Sequence, residues 1–289
     1  MSPSNDNAII VGIDGSKNAL AAVSWAAIEA ARRHLPLTLL HGIIAPIEFG
    51  PGIAFDQFDY DIYRRDGGAA LETAREAAAA AAAPLGDIDI ITDLIQAPPI
   101  PALRDRSKNA RMLVVGTRGL GAFGRGILGS VSTALARHAE CPVAVIPQTY
   151  AVPERPGRVI VGVDGSPAST NAVEIAFDQA SHRGAELVAV LTWTELLRYL
   201  PRHQMQQEAE ELVAQALAGY CETYPDVPVS RIVVEDRPAK RLLETGEHAE
   251  LIVVGSHGRG GFAGMTLGSV SQAVLHGAQV PIIIARTRS

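Results

Sequence analysis

The chain has 289 residues, 47% of them apolar and 19% charged, with a formal net charge of −6. That composition supports globular domains with packed cores and excludes a disordered chain. The acidic balance gives no reason to expect binding to a nucleic-acid backbone, although backbone N–H groups bind small phosphate ligands without any basic surface. The start, MSPSNDNAII, lacks a basic segment followed by an apolar stretch, and no apolar run reaches the ~18 residues of a membrane helix. Cys141 and Cys221 have neither metal-ligand nor redox spacing. A reduced, cytoplasmic protein with no membrane span is expected.

From the amino terminus, a short apolar strand is predicted over 8–13, with Asp14 just past its end. An Ala-rich helix follows over 16–33, with Ser16 as its N-cap. A strand at 37–41 leads into a Gly-, Pro- and aromatic-rich segment, 43–68. Its Phe49, Phe55, Phe58, Tyr60 and Tyr63 read either as a lid or partner surface, or as the small core of a loop. Next come a helix at 69–83, a strand at 88–94, a helix at 101–108 and a strand at 112–115. A helix beginning near Ser130 and a strand at 143–146 complete the first half. After AVPERPG at 151–157 the series returns. Strands are predicted at 158–163, 187–191, 227–234, 251–254 and 282–285, with helices at 166–183, 204–220, 239–248 and from Ser269 onward.

The two halves repeat one another in sequence as well as in pattern. IIVGIDGS at 9–16 returns as VIVGVDGS at 159–166, an offset of 150, and the blocks at 110–146 and 249–285 match at an offset of 139. The first half therefore carries 11 extra residues (150 − 139) between its blocks, placed in the 43–68 segment. Two domains follow, 1–150 and 157–289, with a short linker at 151–156. Strand and helix alternate throughout, and the central strands are apolar on both faces, as in a parallel sheet covered by helices. In such sheets ligands bind beyond the carboxyl ends of the strands.

The glycine-rich segments fall at those ends. Gly116 and Gly119 are followed, after nine residues, by Gly129-Ser130; Gly255 and Gly258 are followed, after nine, by Gly268-Ser269. Phosphate oxygens need convergent N–H donors, glycine lets the backbone approach them, and a helix start favours negative charge. The pattern is neither a Walker A motif nor a dinucleotide fingerprint, which argues against a P-loop ATPase and an ordinary dehydrogenase. At this level the phosphate belongs equally to a nucleotide, a sugar or a coenzyme, and the bland alternative is a turn. Asp14 and Asp164 stand where a carboxylate either meets ribose hydroxyls or caps the following helix. Gly12 and Gly162 permit close approach of a ligand or of neighbouring chain.

VGIDGS, VGVDGS, the two GxxG-nine-GS motifs and the closing strands CPVAVI and VPIIIA resemble the universal stress protein family in its tandem-domain, ATP-binding form, over nearly the whole chain. The resemblance implies an α/β fold of two tandem open five-stranded parallel-sheet domains, like the adenine nucleotide alpha hydrolases, with strand order 3-2-1-4-5. It implies ATP or ADP, with Mg2+, in each domain. Asp14 and Asp164 would face the ribose, and the backbone at Gly42 and Thr192 the adenine. The phosphates would lie against Gly116, Gly119, Gly129, Ser130 and Ser132 in one half, and Gly255, Gly258, Gly268, Ser269 and Ser271 in the other. Basic loop residues differ between the halves: Arg118 and Arg125 against His257 and Arg259. Ala97 and Asp236 stand where the family often has glycine, and a carboxylate near a triphosphate repels it unless it faces away or meets Mg2+. The last strands are expected to pair, making the domains a pseudo-dimer, with a homodimer of chains as a further option.

No nucleophile triad or metal cluster is visible, so no catalytic residue is assigned. Three functions remain: a nucleotide-dependent stress-response regulator acting on an unnamed protein partner, a slow Mg2+-dependent ATPase serving as a timer, and an interaction protein with a vestigial pocket.

Overall fold

The computed structural model describes residues 7–43, 57–117, 129–194, 201–260 and 266–286, with the backbone alone for 57–60. Contacts divide the chain into one unit of residues 1–141 and 146–148 and a second of residues 142–145 and 149–289. Every predicted strand is present, its ends within two residues of the expected ones.

The first unit begins with β1 (Ile9–Gly12), α1 (Lys17–Arg33) and β2 (Leu37–Gly42), followed by α2 (Gln57–Ala82) and β3 (Ile90–Ile95). It continues with α3 (Pro99–Arg106), β4 (Met112–Gly116) and α4 (Ser130–His138). β1 pairs in parallel with β2 and β4, and β2 with β3, giving the order β3-β2-β1-β4. Ile9, Ile10 and Val11 are wholly buried, as a central strand covered on both faces requires. α1 starts where Ser16 Oγ accepts the Ala19 N–H at 3.1 Å. Its buried face is mostly alanine (Ala19, Ala22, Ala26, Ala27, Ala30), so the helix lies close to the sheet. It ends on His34, which adopts the left-handed conformation with φ 53°.

α2 begins twelve residues before the predicted start, so 57–68 is helix rather than loop. Gly67 and Gly68 read as a break because glycine disfavours helix interiors. Gly67 is there for packing: a Cβ at that position would lie 2.8 Å from the His41 ring. Tyr63 is exposed on this helix, while Phe49 and Phe55 and the side chains of Phe58 and Tyr60 lie outside the described residues.

The second unit holds β6 (Arg158–Gly162), α5 (Pro167–Arg183), β7 (Glu186–Trp193), α6 (Arg202–Thr223) and β8 (Val229–Glu235). It continues with α7 (Pro238–Gly246), β9 (Leu251–Gly255), α8 (Ser269–Gly277) and β10 (Ile282–Ala285). The parallel pairs β7·β8, β6·β7, β6·β9 and β9·β10 give the order β8-β7-β6-β9-β10, which is 3-2-1-4-5 in order of appearance. β5 (Val143–Ile146) contributes residues 143–145 to this unit and pairs antiparallel with β10, Ile283 opposite Ala144. Phe177 of α5 is fully buried and stacks on Tyr220 and Tyr224, with ring centroids 5.5 and 5.8 Å apart, fixing α6 against α5. α5 ends on Gly184 at φ 61°, where α1 ends on His34. Among the described residues, no helix is long and apolar enough to cross a membrane.

Candidate functional site

The ends of β6, β7 and β9 and the starts of α7 and α8 converge on one cleft of about 270 Å³. β6 supplies Gly162 and, just beyond it, Asp164; β9 supplies Gly255 and the loop residues His257, Gly258 and Arg259; α8 supplies Ser269 and Ser271 behind Gly268. Thr192 closes it from the end of β7. All nine residues predicted for this half therefore line the same cleft. It sits at the carboxyl ends of parallel strands, where the sheet order reverses from β7-β6 to β9.

The sequence pattern is what permits this convergence. β6 and β9 each end in glycine, and both glycines sit under close neighbours. A Cβ on Gly255 would fall 2.8 Å from the Ala168 backbone of α5, and one on Gly162 would fall 3.3 Å from Leu242 of α7. The first unit repeats both: Gly116 stands 2.8 Å, by the same measure, from the Asn18 backbone, and Gly12 stands 3.0 Å from Leu103. Gly12 and Gly162 thus admit a neighbouring leucine. Gly258 faces the Asp164 carboxylate, which a Cβ would approach to 2.6 Å. The loop is closed at its base, where Gly268 N–H donates to the Ser256 carbonyl at 2.8 Å and Ser271 Oγ donates to the Gly255 carbonyl at 2.5 Å. α8 starts at the cleft, where Ser269, Val270 and Ser271 line it behind an N-cap, Gly268, that has no side chain to cap the first turn, a ready site for an anion.

The Asp164 carboxylate lines the cleft and shapes the turn into α5. Oδ1 accepts the Ser166 N–H at 2.9 Å, shaping the turn into α5, and Oδ2 accepts the Arg259 N–H at 3.2 Å while lining the cleft. In the first unit Asp14 Oδ1 accepts the Ser16 N–H at 3.0 Å. His257 lines the cleft, and its Nδ1 lies 3.1 Å from Ser256 Oγ. The Arg259 guanidinium lies against Gly165, which stands at φ 76° and has no side chain to obstruct it.

Asp236 does not line the cleft. Its carboxylate accepts the Arg237 N–H at 2.8 Å and the Arg241 side chain at 2.9–3.0 Å, with Lys240 at 3.6 Å, at the start of α7. The backbone N–H of Arg237, and then the two cations, hold its pKa below the ordinary carboxylate value. The carboxylate is thus engaged at the start of α7 rather than in the cleft.

The apolar residues that line the cleft were not singled out in the sequence. Val190, Val254, Pro238 and Leu242 line it alongside the glycine loop. Ser169 was also missed; its Oγ accepts the Asp164 N–H at 3.1 Å. The signal for part of the wall was present, because Pro238 and Leu242 repeat Pro99 and Leu103 at the 139-residue offset.

In the first unit the described walls keep the same places. Gly12 and Gly116 end β1 and β4, Gly42 ends β2, and Gly129 precedes Ser130 at the start of α4. Gly129 N–H donates to the Thr117 carbonyl at 2.7 Å, and Ser132 Oγ donates to the Thr117 and Gly129 carbonyls. Gly42 is obligatory, since a Cβ would meet the Ala97 carbonyl at 2.7 Å. Arg118, Gly119 and Arg125 lie outside the described residues. Among the described residues, no group of three His, Cys, Asp or Glu side chains is placed to hold a metal ion.

A family model described as the universal stress protein family matches residues 7–147 and again 156–286. The chain belongs to the universal stress protein family. It is 45% identical over 295 residues to universal stress protein Rv2005c of Mycobacterium tuberculosis, covering 98% of each chain. Universal stress protein Rv2623 of the same species is 41% identical over 290 residues, with 96% of each chain covered. Among solved structures, a universal stress protein from Archaeoglobus fulgidus superposes with a TM-score of 0.68 at 22% identity, covering 98% of this chain and 97% of the other. That likeness concerns the fold.

Proposed function

We propose that this universal stress protein binds ATP or ADP in the second-unit cleft and at the equivalent place in the first domain, and acts as a nucleotide-dependent stress-response regulator in the cytoplasm. The observation that carries this reading is the convergence of Asp164, the Gly255–Gly258 turn and the α8 start on a cleft that Val190, Val254, Pro238 and Leu242 also line. The three parts match the three chemistries of a nucleotide. The apolar lining of Val190, Pro238 and Leu242 suits a flat base. The carboxylate of Asp164 accepts hydrogen bonds from ribose hydroxyls, and the glycine loop with the α8 N–H groups receives phosphate. The shape of the loop supports this assignment, because a Cβ at Gly258 would fill the space beside the carboxylate. Mg2+ would enter with the phosphates, neutralising their charge beside the acidic chain.

Ligand binding would select one arrangement of the glycine loops and so alter the surface offered to a protein partner. Calorimetric titration with ATP and ADP, with and without Mg2+, tests the reading. Saturable binding of either nucleotide is expected, with binding lost when Asp164 and Gly258 are both substituted. No heat and no thermal stabilisation at millimolar nucleotide would leave the fold without this function. ATP turnover that saturates and requires Mg2+ would favour the timer instead.

A further inference from the structure

The cleft's apolar side contains one polar group that the fold leaves unused. Thr192, one residue before the end of β7, lines the cleft with Val190, yet its hydroxyl is closed off from solvent and finds no hydrogen-bond partner among the described residues. Leaving a buried hydroxyl unpaired is unfavourable, and structures rarely keep one without a reason. The first domain offers a direct contrast. Its counterpart is Gly42, where the Ala97 carbonyl and Pro99 occupy the space a side chain would need, at 2.7 and 3.1 Å from a Cβ. In the second unit Asp236, the counterpart of Ala97, is drawn into the start of α7 by Arg237, Lys240 and Arg241, and the β7 end carries a side chain. The two domains therefore differ at the base end of the site, not only in their phosphate loops.

We propose that the Thr192 hydroxyl reads the edge of the bound base, accepting a hydrogen bond from the 6-amino group of a purine. This rests on the nucleotide reading above. A rotation about χ1 exchanges the hydroxyl with the methyl group and turns it into the cleft, a move between staggered rotamers. Among apolar lining residues, one hydroxyl supplies the directional contact that shape alone cannot. The second domain thereby holds adenine nucleotides more selectively than the first.

Thr192→Val keeps the shape and removes the hydroxyl, and Thr192→Ser keeps the hydroxyl. Titration of ATP is expected to show one class of site weakened about five- to tenfold in Thr192→Val, the worth of one net hydrogen bond, and restored in Thr192→Ser. With purine riboside triphosphate, which lacks the 6-amino group, wild type and Thr192→Val are expected to bind alike. The unliganded Thr192→Val protein is expected to melt at or above the wild-type temperature, because it loses an unpaired buried hydroxyl. A purely structural role would lower stability and binding together. Equal ATP affinity in wild type and Thr192→Val, an equal loss in Thr192→Ser, an equal loss with the 6-amino group absent, or failure of Thr192→Val to fold would each overturn the proposal. Absence of any nucleotide binding by wild type would instead remove the reading beneath it, and the proposal with it.

Discussion

Gly258→Ala tests the link between the glycine loop and the carboxylate. The added Cβ would lie 2.6 Å from Asp164 Oδ2, against an ordinary contact of about 3.5 Å, so roughly 1 Å must be found. The Asp164 side chain cannot retreat freely, because Oδ1 is held by the Ser166 N–H at 2.9 Å and Oδ2 by the Arg259 N–H at 3.2 Å. The variant is expected to lose the weaker of these bonds, at a cost of about 1 kcal/mol, the worth of an ordinary net hydrogen bond because this contact is long and exposed. That lowers the melting temperature by a few degrees, while displacing the ribose acceptor weakens nucleotide binding in that domain at least about tenfold. Calorimetric titration and thermal denaturation measure the two effects. Gly219→Ala is the control, since a Cβ there meets nothing within 4 Å and a helix interior gains about 0.5–1 kcal/mol from the exchange. A Gly258→Ala protein that binds nucleotide with wild-type affinity in both domains would refute the reasoning.

Gly255→Ala and Gly116→Ala press a methyl group on the backbone of the first helix of their units, at 2.8 Å from Ala168 and Asn18. Each is expected to destabilise its unit by about 1–3 kcal/mol, read by denaturant unfolding. His34→Gly relieves a left-handed residue at φ 53° where the second unit already uses Gly184, so it is expected to stabilise the first unit by about 1 kcal/mol, and Gly184→Ala to cost the second about as much. Asp236→Asn tests the carboxylate that precedes α7 and accepts the Arg237 N–H. Because the folded-state pKa is depressed, the stabilisation is fully present above the unfolded value of about 3.9 and is lost as pH falls through the folded value. The stability difference between wild type and Asp236→Asn, followed by urea unfolding across acidic pH, is expected to be largest near neutrality and to vanish below the folded pKa.

Much of the fold was legible because each element announces itself locally. IIVG and VIVG are uninterrupted apolar runs, Ser16 and Ser166 cap helices that follow at once, and the offset of 150 or 139 residues repeats the whole series. The start of α2 was not legible, because Gly67-Gly68 carries the mark of a turn while its cause, the His41 ring across from it, is distant in sequence. The glycine and serine positions of the cleft were legible because backbone approach demands them. Its apolar wall was not, since Val190, Val254, Pro238 and Leu242 come from three elements and each also reads as ordinary core. The role of Asp236 could not be read either. Its sequence position suggests the cleft, and only the turn into α7 directs it to Arg237 and Arg241.

The central claim is that this chain carries adenine nucleotide, and the most direct test is to denature the purified protein and to identify and count what it releases. Two molecules of ATP or ADP per chain, released by wild type and reduced to one by substitution of Asp164 and Gly258, is the predicted result. No released nucleotide, together with no uptake after incubation with Mg-ATP, would contradict it.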